Sequence, residues 1–156
     1  MKKGFTLIEL LVVMVVVGIL VTIGLPKYRV AIEKGRGLEG FSNAGAISDA
    51  LNAYYIRNYN SYAQNTQFSG RSAVDFAGMT AEQTKNKFFN ASVAVNGDTA
   101  TVTLARKAED VATGRGYSII FVNTGGEVSE RYCTGYDKYC KALGATTVRS
   151  SGGWSF

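Results

Sequence analysis

Histidine is absent from this chain of 156 residues, proline occurs once, and cysteine twice. The first absence removes the commonest metal ligand. It also removes the base of a Ser-His-Asp or Cys-His nucleophile system. Cys133 and Cys140 cannot by themselves complete a four-ligand zinc site. A local disulfide is the better reading, and it implies an oxidising compartment outside the cytoplasm. No catalytic set, metal site or cofactor can be named, and the expectation is a protein that is not an enzyme. The one proline, Pro26, cannot donate to the carbonyl of Thr22, so a kink is expected there rather than a full break.

Charge is in modest excess, 17 basic against 12 acidic side chains. Loss of Met1–Gly4 would take Lys2 and Lys3 away and weaken any whole-protein case for nucleic-acid binding. Mean hydropathy is close to zero, but this average joins two unlike parts. From Phe5 to Leu25 the chain is apolar except for Glu9 and a few small residues. Such a run is roughly 31 Å long as a helix, enough to cross a hydrocarbon core. A cleaved secretory signal should end its apolar run at a small-residue site. This run ends VTIGLPKYRV, without one, so the segment is expected to stay in the mature protein.

Orientation is less direct. Lys2 and Lys3 favour a cytoplasmic N-terminus. Lys27, Arg29, Lys34 and Arg36 follow the run and are only partly balanced by Glu33 and Glu39, so counting charges does not place the C-terminal part outside. The cysteine pair does. Glu9 is the other anomaly, since a carboxylate in a membrane span costs about 2.5–3.5 kcal/mol on insertion scales. It could snorkel to the cytoplasmic headgroups, or a partner could offset its charge.

The stretch KKGFTLIELLVVMVVVGILVTIGLPKY resembles the start of type IV pilins and pseudopilins. In that family a membrane peptidase cuts between a leader's final Gly and the next residue, here Gly4 and Phe5, and the new amine is methylated. The resemblance covers about 30 residues and implies a leader at 1–4, a transmembrane and assembly helix at 5–30, and a globular domain at 31–156. Glu9 takes the position of the family's glutamate, one helical turn past the cut. Its implied role is to pair with the Phe5 amine of a neighbouring subunit, setting register in a staggered bundle. Pro26 matches the family's bending proline. Gly18 and Gly24 are further weak points in the helix.

Beyond the span, Phe41, Ala44, Leu51 and Tyr55 fall on one helical stripe with Glu39 and Arg57 opposite. If continuous with the span, the helix covers about 5–57. GRGLEG at 35–40 fits G-x-G-x-x-G, but no strand precedes it, so its glycines read as points of close helix approach or bending. Residues 58–90 read as a long connection, with Thr80 and Gln83 as a capping box for one short helix. SVAVNGDTATVTLA gives a hairpin around Asn96-Gly97, and GYSIIFVNTGGEVSERYC a second across Asn123–Gly126. About four antiparallel strands packed on the amphipathic half of the helix make an α+β pilin fold.

The resemblance implies a filament subunit whose partners are copies of itself, a prepilin peptidase, and an inner-membrane assembly platform with its ATPase. The chain would be single-pass in the inner membrane, its C-terminal domain outside the cytoplasm, and then part of an extracellular or periplasmic filament. A pseudopilin of a type II secretion system shares the motif. Major pseudopilins commonly carry a calcium site in a C-terminal loop, and the tail KALGATTVRSSGGWSF has no acidic residue. A minor pilin for DNA uptake would need basic residues interleaved with aromatics. Arg131, Lys138, Lys141 and Arg149 near Tyr132 and Tyr136 are the weak candidate for that.

Overall fold

The computed structural model describes residues 4–57, 62, 86–111 and 113–156. Helix α1, Leu7–Arg57, runs for 51 residues, about 77 Å, without interruption at Pro26. In the turn before the proline, the Thr22 hydroxyl donates to the Gly18 carbonyl at 2.8 Å. The G-x-G-x-x-G match lies wholly inside α1, so no phosphate loop forms there. The short helix expected near Thr80 and Gln83 lies outside the described residues.

Strand β1 is Phe89–Asn96, β2 Thr99–Arg106, β3 Tyr117–Thr124 and β4 Glu127–Gly135; a 3-10 turn at Ala108–Asp110 follows β2. Helix α2, Asp137–Ala142, and two short strands, β5 at Thr147–Val148 and β6 at Trp154–Ser155, complete the chain. All pairings are antiparallel, in the order β1-β2-β3-β4-β6-β5. The sheet therefore has six strands where the sequence suggests about four. The extra two are two residues each, too short to leave a period-2 signal.

The first hairpin closes one residue later than expected. Asn96 pairs with Thr99, and the loop is Gly97–Asp98, with Gly97 at φ 57°. The second closes over Gly125 and Gly126, both at positive φ, as a two-residue hairpin loop requires.

Alternation along the strands makes one face of the sheet apolar. Ala100, Val102 and Leu104 of β2 stand opposite Asn123, Phe121 and Ile119 of β3, and all six are buried. The C-terminal half of α1 covers this face with Ala44, Ile47, Leu51 and Tyr55. Phe41 is half-buried and meets the rings of Phe121 at 4.9 Å and Phe156 at 5.1 Å, both edge-on. The stripe read from the sequence is thus the packing face. It extends further towards the N-terminus than that reading had it, through Gly40 and Gly37 to Glu33.

Candidate functional site

The first half of α1 buries no side chain until Val30, which is half-buried against the core. Every side chain from Phe5 to Arg29 is exposed, and the apolar stretch is the one helical segment among the described residues long and apolar enough to cross a membrane. Gly4 and Phe5 precede the helix without regular secondary structure, both exposed. Around Gly18 and Gly24 there is open space, so neither glycine is required by packing within the chain.

Thr6 and Glu9 close the start of the helix. Glu9 Oε2 accepts from the Thr6 backbone N–H and from its hydroxyl, both at 2.8 Å, while the Thr6 hydroxyl lies 3.3 Å from the Glu9 N–H that donates to it. This is the reciprocal arrangement of a capping box, and it satisfies N–H groups that a helix start leaves orphaned. The spacing T-x-x-E carries that signal in the sequence, and reading Glu9 only for its charge misses it.

A second polar centre joins helix to sheet. Glu33 Oε1 accepts from Arg106 Nε at 2.5 Å and from the Tyr117 hydroxyl at 3.2 Å. Its other oxygen accepts from Arg36 Nη1 at 3.3 Å. Arg106 Nη1 donates to the Phe88 carbonyl at 2.7 Å. Glu33, Arg106 and Tyr117 are buried while Arg36 is half-exposed, and the Arg106 guanidinium lies 5.3 Å from the Phe88 ring centre and 5.6 Å from that of Phe89. Burial first, and then the adjacent Glu33 carboxylate, hold the Tyr117 phenol above its ordinary value. Sequence reasoning passed over these residues. The available signal was a carboxylate at the head of the buried stripe, four residues before Gly37 and seven before Gly40.

Gly37 and Gly40 face the core, while Gly35 faces open space. A Cβ on Gly40 would sit 2.9 Å from the Phe89 ring, and one on Gly37 only 2.4 Å from a Leu143 methyl. Gly40 thus admits the Phe89 ring of β1, while Gly37 lets α1 approach Leu143 at the C-terminal end of α2.

Cys133 on β4 and Cys140 on α2 form a disulfide that pins α2 to the sheet. Three of the four basic residues of the DNA-uptake reading are engaged inside the chain, and Lys138 is exposed. Arg149 lies 3.7 Å over the Tyr132 ring and pairs with Glu130; Lys141 lies 4.2 Å over Trp154; Arg131 lies 5.3 Å over Phe121. Tyr136 stacks edge-on with Tyr139 at 4.9 Å. Rings held this way present no open platform for bases. Among the described residues no group of three or more Cys, Asp or Glu side chains could hold a metal ion.

Comparison with known proteins follows the same lines. Residues 1–25 match the family model of the prokaryotic N-terminal methylation motif. The chain is 30% identical to a fimbrial protein of Neisseria meningitidis over 105 residues, which is 67% of this chain and 56% of that one. It is 31% identical over 88 residues to the type IV major fimbrial protein FimA of Dichelobacter nodosus, 56% of this chain and 50% of the relative. With the fimbrial protein EcpB of Eikenella corrodens, identity is 27% over 135 residues, covering 80% and 82%. The matched regions span about a third to just over half of the length of most of these curated relatives. No solved structure matches the chain. The methylation motif, the long helix laid on an antiparallel sheet, and relatives that are fimbrial proteins support a type IV pilin.

Proposed function

We propose that this chain is the structural subunit of a type IV pilus-like filament. The observation that carries the reading is the uncovered half of α1. Apolar helix from Leu7 to Leu25, about 29 Å long, is exposed along its whole length. Exposed to water, such a surface is strongly unfavourable. Lipid covers it before assembly, and the same segment of neighbouring subunits covers it afterwards.

In this reading the leader 1–4 is removed at Gly4–Phe5 by a membrane peptidase, and the Phe5 amine is methylated. Residues 5–30 anchor and then polymerise, and 31–156 form the filament surface. An assembly platform in the membrane and its ATPase would move the subunit out. The role is mechanical, and no step of chemistry is assigned to the chain.

Glu9 would pair with the Phe5 amine of a neighbour. The capping contact to Thr6 supports a carboxylate pre-positioned at the helix start, about one turn from the chain's own Phe5. Gly18, Gly24 and Pro26 would let the helix open locally when subunits crowd together, since each glycine lowers helix stability by about 1 kcal/mol relative to Ala, and proline by about 3.

Mass spectrometry of surface filaments tests the proposal. The expected result is this chain beginning at N-methylated Phe5. Filaments in which it retains Met1–Gly4, or cells lacking the protein with unchanged filaments, count against it.

A further inference from the structure

Of the basic residues that follow the span, Arg29 meets two cations from distant parts of the chain in one place. Where α1 leaves its apolar stretch it forms one wall of a groove of about 350 Å³ against the head. Arg29 from α1, Arg115 from the loop before β3 and Lys138 from α2 all line it. Asp and Glu are missing from its lining, and among the described residues no carboxylate forms an ion pair with any of the three.

An adjoining groove shares Arg29 and Arg115 and adds Arg36 and Glu33. The Glu33 carboxylate is already taken up by Arg106, Tyr117 and Arg36. Like charges gathered from three elements with no free counter-charge repel one another, and an external anion relieves the repulsion.

The other end of the groove is apolar. Val21 and Leu25 line it, continuous with the exposed run towards Phe5. Arg29 lies about one turn beyond Leu25, so a span of Phe5–Leu25 puts the cations at headgroup depth and the apolar wall at acyl-chain depth. Tyr136, half-buried, also borders the groove, and interfacial tyrosines are common where a chain leaves a membrane.

We propose that this groove seats the phosphate of an anionic phospholipid of the outer leaflet, held among Arg29, Arg115 and Lys138, with an acyl chain along Val21 and Leu25. The inference rests on the membrane-held subunit proposed above. A free phosphate would have no use for the apolar wall, and that wall assigns the lipid.

The test uses the full-length processed protein in nanodiscs of phosphatidylcholine containing a minor fraction of phosphatidylglycerol. Native mass spectrometry then reads which lipid stays bound. Wild type should retain phosphatidylglycerol preferentially. Arg29→Gln, Arg115→Gln and Lys138→Gln should each lower that preference roughly five-fold. Lys138 is exposed, so its variant reads binding without loss of fold. Equal retention of the two lipids by wild type, unchanged preference in all three variants, or displacement of the lipid by millimolar inorganic phosphate overturns the proposal. Loss of filaments in the variants without any lipid preference in wild type also overturns it, and assigns the cations to a neighbouring subunit. Protease protection of the span is scored separately. A chain that fails to insert removes the membrane reading and this site together, whereas insertion without lipid preference removes the site alone.

Discussion

Glu33 and Arg106, 73 residues apart in the chain, meet in a buried hydrogen-bonded ion pair that ties the long helix to the second strand. It sits where α1 passes from its uncovered half to its packed half. An apolar face fixes which side of a helix is buried, but several rotations and sliding positions bury similar area. A buried pair with one geometry selects among them, as a single polar residue does for register in coiled coils.

Breaking that pair from one side should be costly. Glu33→Ala is expected to destabilise the detergent-solubilised protein by about 3–5 kcal/mol, because the guanidinium stays buried without this carboxylate. Replacing Glu33 and Arg106 together by Met should cost less than Glu33→Ala alone. Denaturant melting of the three proteins checks it. A single variant that melts with wild type would mean that the pair contributes nothing.

The phenol beside the pair gives a pH signature. Tyr117 is held above its ordinary value of 10.0, first by burial and then by Glu33. The folded state therefore keeps its proton more tightly than the unfolded chain does. Its contribution is fully present below about pH 10 and is lost as pH rises towards the higher folded value. Wild type should lose stability above pH 10 more steeply than Tyr117→Phe, which has no proton there to lose. Melting temperatures of the two proteins at pH 8 and at pH 11 measure the difference.

The glycines of GRGLEG should separate by face. Gly40→Ala forces a methyl against the buried Phe89 ring and is expected to cost about 1–3 kcal/mol. Gly35→Ala points into open space and should stabilise the helix by up to about 1 kcal/mol. Equal effects at the two positions would contradict the packing described.

The Cys133–Cys140 bond closes a short loop and should be worth about 2–3 kcal/mol by the chain-entropy estimate. Both cysteines are fully buried, so a maleimide should label neither until the protein is reduced and unfolded. The double variant Cys133→Ala/Cys140→Ala should melt earlier by the corresponding amount.

Glu9→Gln distinguishes the two uses of its carboxylate. Glutamine also closes a capping box, so the helix start should survive, and neither insertion nor cleavage needs the charge. Pairing with a neighbour's amine does need it. The variant should be cleaved at Gly4–Phe5 yet yield far fewer filaments, as counted by electron microscopy. Wild-type filament yield would reduce Glu9 to a helix cap.

Local chemistry was legible in the chain. The long apolar run, the stripe from Phe41 to Tyr55, the two hairpins and the close pair of cysteines each show themselves through neighbours a few residues away, because period, turn residues and short loops are local properties. The Thr6–Glu9 cap also carries a local signal in its T-x-x-E spacing, which a reading of Glu9 for its charge alone passes over. Tertiary structure decided the rest. Glu33, Arg106 and Tyr117 come from three elements and acquire partners only when the helix lies on the sheet. The glycines at 35, 37 and 40 look alike in the sequence and differ only in what faces them. Arg29, Arg115 and Lys138 read as scattered surface charge until the fold gathers them at the foot of the head. Burial and convergence of charge depend on contacts many tens of residues apart, and no short window of sequence contains both partners.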